Sequence, residues 1–223
     1  MTVEICTVWA PRPASEQYRA DYLDMMDYQK KSAERFGHLH TVVTDDFSLG
    51  WRYNTLPVTL PQEVMPAMIA GVVERLLRPV TSHIVFVDVD VLVARHLGAI
   101  FDGTFDLALT HRPNPVAPIN NGVMYMDMVG AHKSLIFFEH ALSICELHWG
   151  GDQEAISRAA APVPDEDCIE DREGFRLRFI PLRKYATVPK ARGTYHRDAF
   201  CVHFKGETKQ WMAEYCRTNI TKD

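Results

Sequence analysis

The sequence predicts an α/β fold with a mainly parallel, Rossmann-like central sheet flanked by helices, and three observations carry that reading. Before residue 94, β-rich segments alternate with segments of helical apolar spacing in the order strand, helix, strand, helix, strand, which winds a parallel sheet. The run HIVFVDVDVLV at 83–93 is apolar throughout its first half apart from His83, as a strand covered on both faces must be. The composition, 223 residues with 47% hydrophobic and 24% charged, suits one large soluble domain, so 1–223 is read as a single domain.

Residues 3–9, VEICTVW, are rich in β-formers and stop before Pro11 and Pro13. Tyr18, Tyr22, Met25, Met26 and Phe36 then recur at helical spacing. A second strand is expected at 40–44, HTVVT, followed by a loop with Gly and Pro that runs to Pro66. Met68, Ile69, Val72, Val73, Leu76 and Leu77 make an apolar helical face that Pro79 terminates. Next comes the strand of 83–93, with Asp88 and Asp90 standing where its buried half ends. Strands are expected at 107–110 and 122–126, a helix at 134–147, and a strand at 175–181, FRLRFIP. The acidic stretch 164–173 reads as a surface loop, and 184–197 as a polar loop that would close over a ligand. A short strand, AFCVHF, and a terminal helix complete the chain.

Net charge is -5, which argues against a general electrostatic grip on nucleic acid or anionic lipid. The five cysteines are scattered, with no Cys-x-x-Cys pair, which argues against a disulfide framework or a structural zinc site. With no signal-peptide pattern and no long uncharged apolar run, the expected location is cytoplasmic, without a transmembrane segment.

Four segments carry chemistry. Asp88-Val89-Asp90 sits at the carboxyl end of a central strand, the edge where open α/β sheets bind ligands. Its two hard oxygen donors suit Mn²⁺ or Mg²⁺, and delivering two like charges from a buried strand is costly without a cation. Asn120-Asn121-Gly122 places two amides and a closely approachable backbone before an apolar strand; it is also a common turn. In Gly150-Gly151-Asp152-Gln153 the glycines can end a helix and Asp152 can cap the next, or present its carboxylate, with Gln153, to a sugar. In His203-Phe204-Lys205-Gly206-Glu207-Thr208-Lys209 an imidazole can join two carboxylates on a metal, while Lys205, Lys209 and the Gly206 backbone suit a diphosphate.

In this order the four blocks resemble the GT-A (nucleotide-diphospho-sugar transferase) fold glycosyltransferases, most closely glycosyltransferase family 8, which includes glycogenin and lipopolysaccharide galactosyltransferases. The resemblance spans about 60–212. It implies a transferase acting on a nucleotide-sugar donor, a UDP-sugar above all, with manganese or magnesium held by a DXD motif: Asp88 and Asp90, joined by His203. It further implies that Asn120 touches the donor sugar and that Asp152 and Gln153 lie beside the anomeric carbon. Gly206 and Lys209 would hold the diphosphate, and Thr7 and Val8 would line the nucleobase pocket. Asn121 and Lys205 complete the expected donor contacts, and the transfer would retain anomeric configuration. The acceptor, whether glycan, protein or small molecule, is not readable. In place of the family's Tyr-x-Arg, the helix before the acidic pair reads PAMIAGVVERLL. A competing reading takes Asp88 as the nucleophile of a haloacid-dehalogenase-type phosphatase, because an apolar strand ending in Asp-Val-Asp-Val is close to that family's motif. A third takes the chain as a non-catalytic nucleotide-sugar-binding domain.

Overall fold

The structure is a computed structural model that describes residues 1–11, 16–164, 167–194 and 198–221. Eight strands form one sheet in the order β3-β2-β1-β4-β7-β6-β9-β8. Here β1 is Val3–Trp9, β2 Leu39–Thr44, β3 Asn54–Pro57, β4 His83–Val87, β6 Leu107–His111, β7 Ile119–Met126, β8 Cys168–Arg172 and β9 Phe175–Pro181. The run β3 to β4 is parallel, as is β6 with β9, whereas β7 and β8 run against their neighbours. The sheet is thus mainly parallel, as the alternation of elements requires.

Helices pack on both faces. α1 (Glu16–Arg35) buries Met25, Met26, Gln29, Ser32 and Ala33, positions three and four apart that share one stripe. α2 (Val64–Leu76), α3 (Ala131–Ser143) and α4 (Gly151–Ala159) contribute to the largest apolar core, which includes Val72, Phe86, Phe138 and Ile156. A second core on the opposite face gathers Val85, Val87, Phe105 and Tyr125. Alternate residues of β4 therefore serve alternate cores, which is why its sequence is apolar without interruption.

The run 83–93 is two strands, not one. β4 ends at Val87, Asp88-Val89-Asp90 turns the chain, and β5 (Val91–Val93) leaves the sheet to pair antiparallel with β10 (Cys201–His203). This ribbon fixes His203 opposite Val91, so a residue more than 100 positions downstream sits directly against the acidic turn.

Three loop readings are corrected. Residues 168–172 form edge strand β8, paired with β9 through a tight turn in which Glu173 and Gly174 have φ of 55° and 84°. Glu-Gly at that point is a hairpin signal, and the charged residues of β8 are those of an exposed edge. The segment between β2 and α2 also contains a strand, β3, at the other edge, where Pro57 is tolerated. The loop expected at 184–197 begins inside a short helix, α5 (Leu182–Tyr185), and is tied down beyond it: Thr187 N–H donates to Cys201 O (3.0 Å) and His203 N–H to Thr187 O (2.8 Å). Its last residues, 195–197, lie outside the described residues.

Candidate active site

The carboxyl ends of β1 and β4 open into a cleft of about 1130 Å³. Val8, Asp88, Asp90, Asn121, Asp152, Gln153, His203, Lys205, Gly206 and Lys209 line it. Of the residues expected from sequence, Thr7 and Asn120 do not. Thr7 is fully buried and donates its hydroxyl hydrogen to Gln29 Oε1, so it lies beneath the cleft floor. Asn120 is equally buried and reaches the site through Lys205, whose Nζ donates to Asn120 Oδ1 at 2.6 Å.

The acidic turn is positioned from two sides. Asp88 N–H donates to Gly122 O (3.0 Å), continuing the β4–β7 ladder by one residue. From below, Gln29 Nε2 donates to Asp88 O (2.8 Å) and Val91 O (3.1 Å), while its Oε1 takes Thr7 and meets His40 Nε2 at 2.8 Å. Gln29 was not among the sequence candidates. Its signal was available: it is the largest polar residue on the apolar stripe of α1.

β7 begins at Ile119, so Asn120, Asn121 and Gly122 belong to the strand itself. The register with β6 slips between Leu109 and Thr110, leaving 121–123 without partners there. Gly122 is needed at this point for space. A Cβ there would lie 2.1 Å from His203 Cε1 and 2.8 Å from Asp88 Oδ2.

Asp88, Asp90 and His203 each offer a ligand atom, all within 4.8 Å of one another. His203 Nε2 lies 3.1 Å from Asp90 Oδ1 and 3.4 Å from Asp88 Oδ2. Asp90 Oδ1 is nevertheless buried without a hydrogen-bond partner. A buried carboxylate oxygen left in that state is costly, and a divalent cation between the three groups would satisfy it. Two carboxylate oxygens and an imidazole nitrogen are a donor set that fits Mn²⁺ or Mg²⁺.

The electrostatics are divided between the two acids. Burial pushes the Asp88 carboxyl above its usual range; His203 opposes the shift and Asp90 adds to it. Burial acts on Asp90 too, but the close approach and charge of His203, then Lys209, outweigh it and hold that carboxyl below its usual range. Lys209 Nζ stands 3.1 Å from Asp90 Oδ2 and 3.0 Å from Tyr22 Oη, over whose ring it also lies. Burial lowers Lys205 from the ordinary lysine value, against the pull of Asp88.

The third block is a built turn. Gly150 has φ of +89°, and a Cβ on Gly151 would lie 2.1 Å from Glu146 O, so both glycines are required by the backbone. They set Asp152 into the first turn of α4, where its Oδ2 accepts from Asn121 Nδ2 at 2.6 Å. Burial raises the Asp152 carboxyl, against hydrogen bonds from the Gln153 N–H and Asn121. The cleft also takes in Trp149, which opens the third block, and residues not foreseen from sequence, among them Trp9, Tyr18, Arg19 and Tyr22.

No protein-family model matches the chain, and no curated protein matches it in sequence. Solved structures do match its fold. A glycosyltransferase involved in the glycosylation of the major capsid of PBCV-1 aligns with a TM-score of 0.59 at 14% identity, covering 97% of this chain and 99% of that one. The galactosyltransferase LgtC, in complex with donor and acceptor sugar analogues, aligns at 0.56 and 11%, covering 99% and 97%. The glycosyltransferase GlyE of Streptococcus pneumoniae TIGR4 aligns at 0.60 and 11%, covering all of this chain and 61% of that one. The fold is that of the GT-A glycosyltransferases. These neighbours lend no support to the phosphatase reading of Asp88. No described helix is long and apolar enough to cross a membrane.

Proposed function

We propose that the chain is a single-domain, metal-dependent glycosyltransferase (a hexosyltransferase) of the family 8 type. It moves a sugar from a nucleoside diphosphate sugar, with a UDP-sugar favoured, to an acceptor, with retention of anomeric configuration. One observation carries the reading: two aspartates and a histidine converge in the cleft of a GT-A fold, with a buried Asp90 oxygen unbonded and two lysines alongside.

The chemical difficulty in such a transfer is the charge that develops on the leaving diphosphate as the anomeric bond breaks. Mn²⁺ or Mg²⁺ held by Asp88, Asp90 and His203 would supply Lewis-acid stabilisation of that charge, worth several kcal/mol. Lys205 and Lys209 add fixed positive charge at the same edge, and Gly206 offers a backbone with φ of +53° that brings no side chain into the way. Val8, at the end of β1, borders the nucleobase. Asn121 orients Asp152, and Asp152 with Gln153 faces the sugar. Asn120 acts through Lys205, and Thr7 through Gln29, each fixing a neighbour's position.

A thermal-shift screen of nucleotide sugars with and without Mn²⁺ tests the proposal. A ligand at 100 times its dissociation constant stabilises the fold by about 2.7 kcal/mol, so the donor should stand out, and only with metal present. Stabilisation by no nucleotide sugar, or hydrolysis of p-nitrophenyl phosphate through a phospho-aspartate at Asp88, would overturn it. Metal-dependent binding without turnover of any donor would instead favour the non-catalytic reading.

A further inference from the structure

Trp149 is 88% exposed, although it lines the cleft three residues before Asp152. Indole side chains bury 150–250 Å² in most settings, so one held in solvent at the lip of a binding cleft is unusual. Its backbone is not loose. Gly151 N–H donates to His148 O (3.0 Å), Glu154 N–H to Gly150 O (3.0 Å), and Gly150 N–H points at Met65 Sδ (3.3 Å) on α2. His148 is held between Glu146 and Glu154 at 3.5 and 3.2 Å. The turn is fixed while the indole stands largely in solvent at the cleft, which is the form of a platform.

Its place in the cleft says what for. The end of β1 and the start of α1 give the cleft lining one group, Val8, Trp9, Tyr18 and Tyr22, with the Tyr22 ring 5.4 Å from that of Trp9 and 4.3 Å from that of Tyr18; the segments leading into α2 and α4 give it a second, Gln62, Met65, Trp149 and Gln153, joined where Gly150 N–H meets Met65 Sδ. If the nucleoside takes the first part, the second is left for the group that receives the sugar. A pyranose presents an apolar C–H face to an aromatic plane and hydroxyls at its edge. The indole supplies the plane, and the Gln62 and Gln153 amides supply partners for hydroxyls.

We propose that Trp149 is the stacking platform of an acceptor subsite, and that the acceptor is a saccharide presenting one pyranose face to it. This inference rests on the glycosyltransferase reading, but part of its test does not. Methyl glycosides of glucose, galactose and mannose, and lactose, are titrated against the wild-type chain and Trp149→Ala by ligand-observed NMR without nucleotide. At least one should bind in the millimolar range, and Trp149→Ala should abolish that binding. With donor present, Trp149→Ala should raise the acceptor KM about tenfold, the factor that ~1.4 kcal/mol produces, with kcat and the donor dissociation constant little changed. Trp149→Phe, which keeps an aromatic face, should recover most of the loss.

No saccharide binding, an acceptor KM unmoved by Trp149→Ala, or a donor dissociation constant that weakens in step would each overturn the inference. Transfer to a peptide hydroxyl in preference to every saccharide would do the same. Saccharide binding at Trp149 with no nucleotide sugar bound would retain the subsite and sink the transferase reading. Donor turnover with an acceptor KM indifferent to Trp149 would do the reverse.

Discussion

At the amino end of the parallel strands, Glu4 of β1 is buried against Arg75 of α2, Oε2 to Nη2 at 2.5 Å and Oε1 to Nε at 3.0 Å. At the carboxyl end, Asp88 and Asp90 meet His203 and Lys209. Both ends bury carboxylates, but only the first satisfies them in full. The bidentate arginine outweighs burial and lowers the Glu4 carboxyl. At the other end the Asp88 carboxyl is raised and Asp90 Oδ1 has no hydrogen-bond partner. A structural ion pair is complete within the chain, whereas a site that takes a cation is incomplete without it.

Substitutions at the two ends should therefore fail in opposite ways. Asp90→Asn should lower donor turnover by about 10³-fold and abolish Mn²⁺ binding, with the melting temperature little changed. Steady-state kinetics and a melt on the same sample check both. Glu4→Gln should cost about 3 kcal/mol of stability in urea, because it strands the buried Arg75, while the folded protein keeps its metal affinity. An Asp90 variant that unfolds, or a Glu4 variant that loses metal while folded, would erase the contrast.

A smaller effect tests how the acidic turn is held. Gln29→Leu removes donors to Asp88 O and Val91 O and should cost about 1–3 kcal/mol. It should also weaken Mn²⁺ binding without touching a ligand. Gln29→Glu keeps the acceptor toward Thr7 but loses the donors, so it should not rescue metal affinity.

A further effect is the pH dependence of the structural end. Burial pushes His38 and His40 down to about 4, so each resists protonation in the folded state. Their contribution is full above the ordinary value of 6.5 and is lost as pH falls from there toward 4. Glu4, lowered from 4.5, contributes stability above that value and loses it as pH falls through its folded value. Melting temperature should hold above pH 6.5 and then decline, and Glu4→Gln should remove only the component below about 4.5.

Much of this was legible from residue order. The β-branched run of 83–87 could only be a covered strand, and α2 followed from its apolar face and Pro79. The edges were not legible. Strand β8 is acidic because edges are, and charge alone resembles a loop; the Glu173-Gly174 turn was the better signal. In the site, the triad was expected from the family resemblance, but its closeness depends on the β5–β10 ribbon, a pairing across more than 100 residues that no local pattern encodes. Thr7 was expected in the nucleobase pocket by position at a strand end. Strand alternation turns its side chain to Gln29 instead and leaves Val8 at the cleft.

The central claim is that Asp88, Asp90 and His203 hold a divalent cation that in turn holds the diphosphate. Calorimetric titration of Mn²⁺ into the wild-type chain, with and without UDP, tests it most directly. The account predicts one Mn²⁺ per chain, bound more tightly when UDP is present and lost in both Asp90→Asn and His203→Ala. UDP binding of equal strength in EDTA, or Mn²⁺ binding that survives both substitutions, would contradict it.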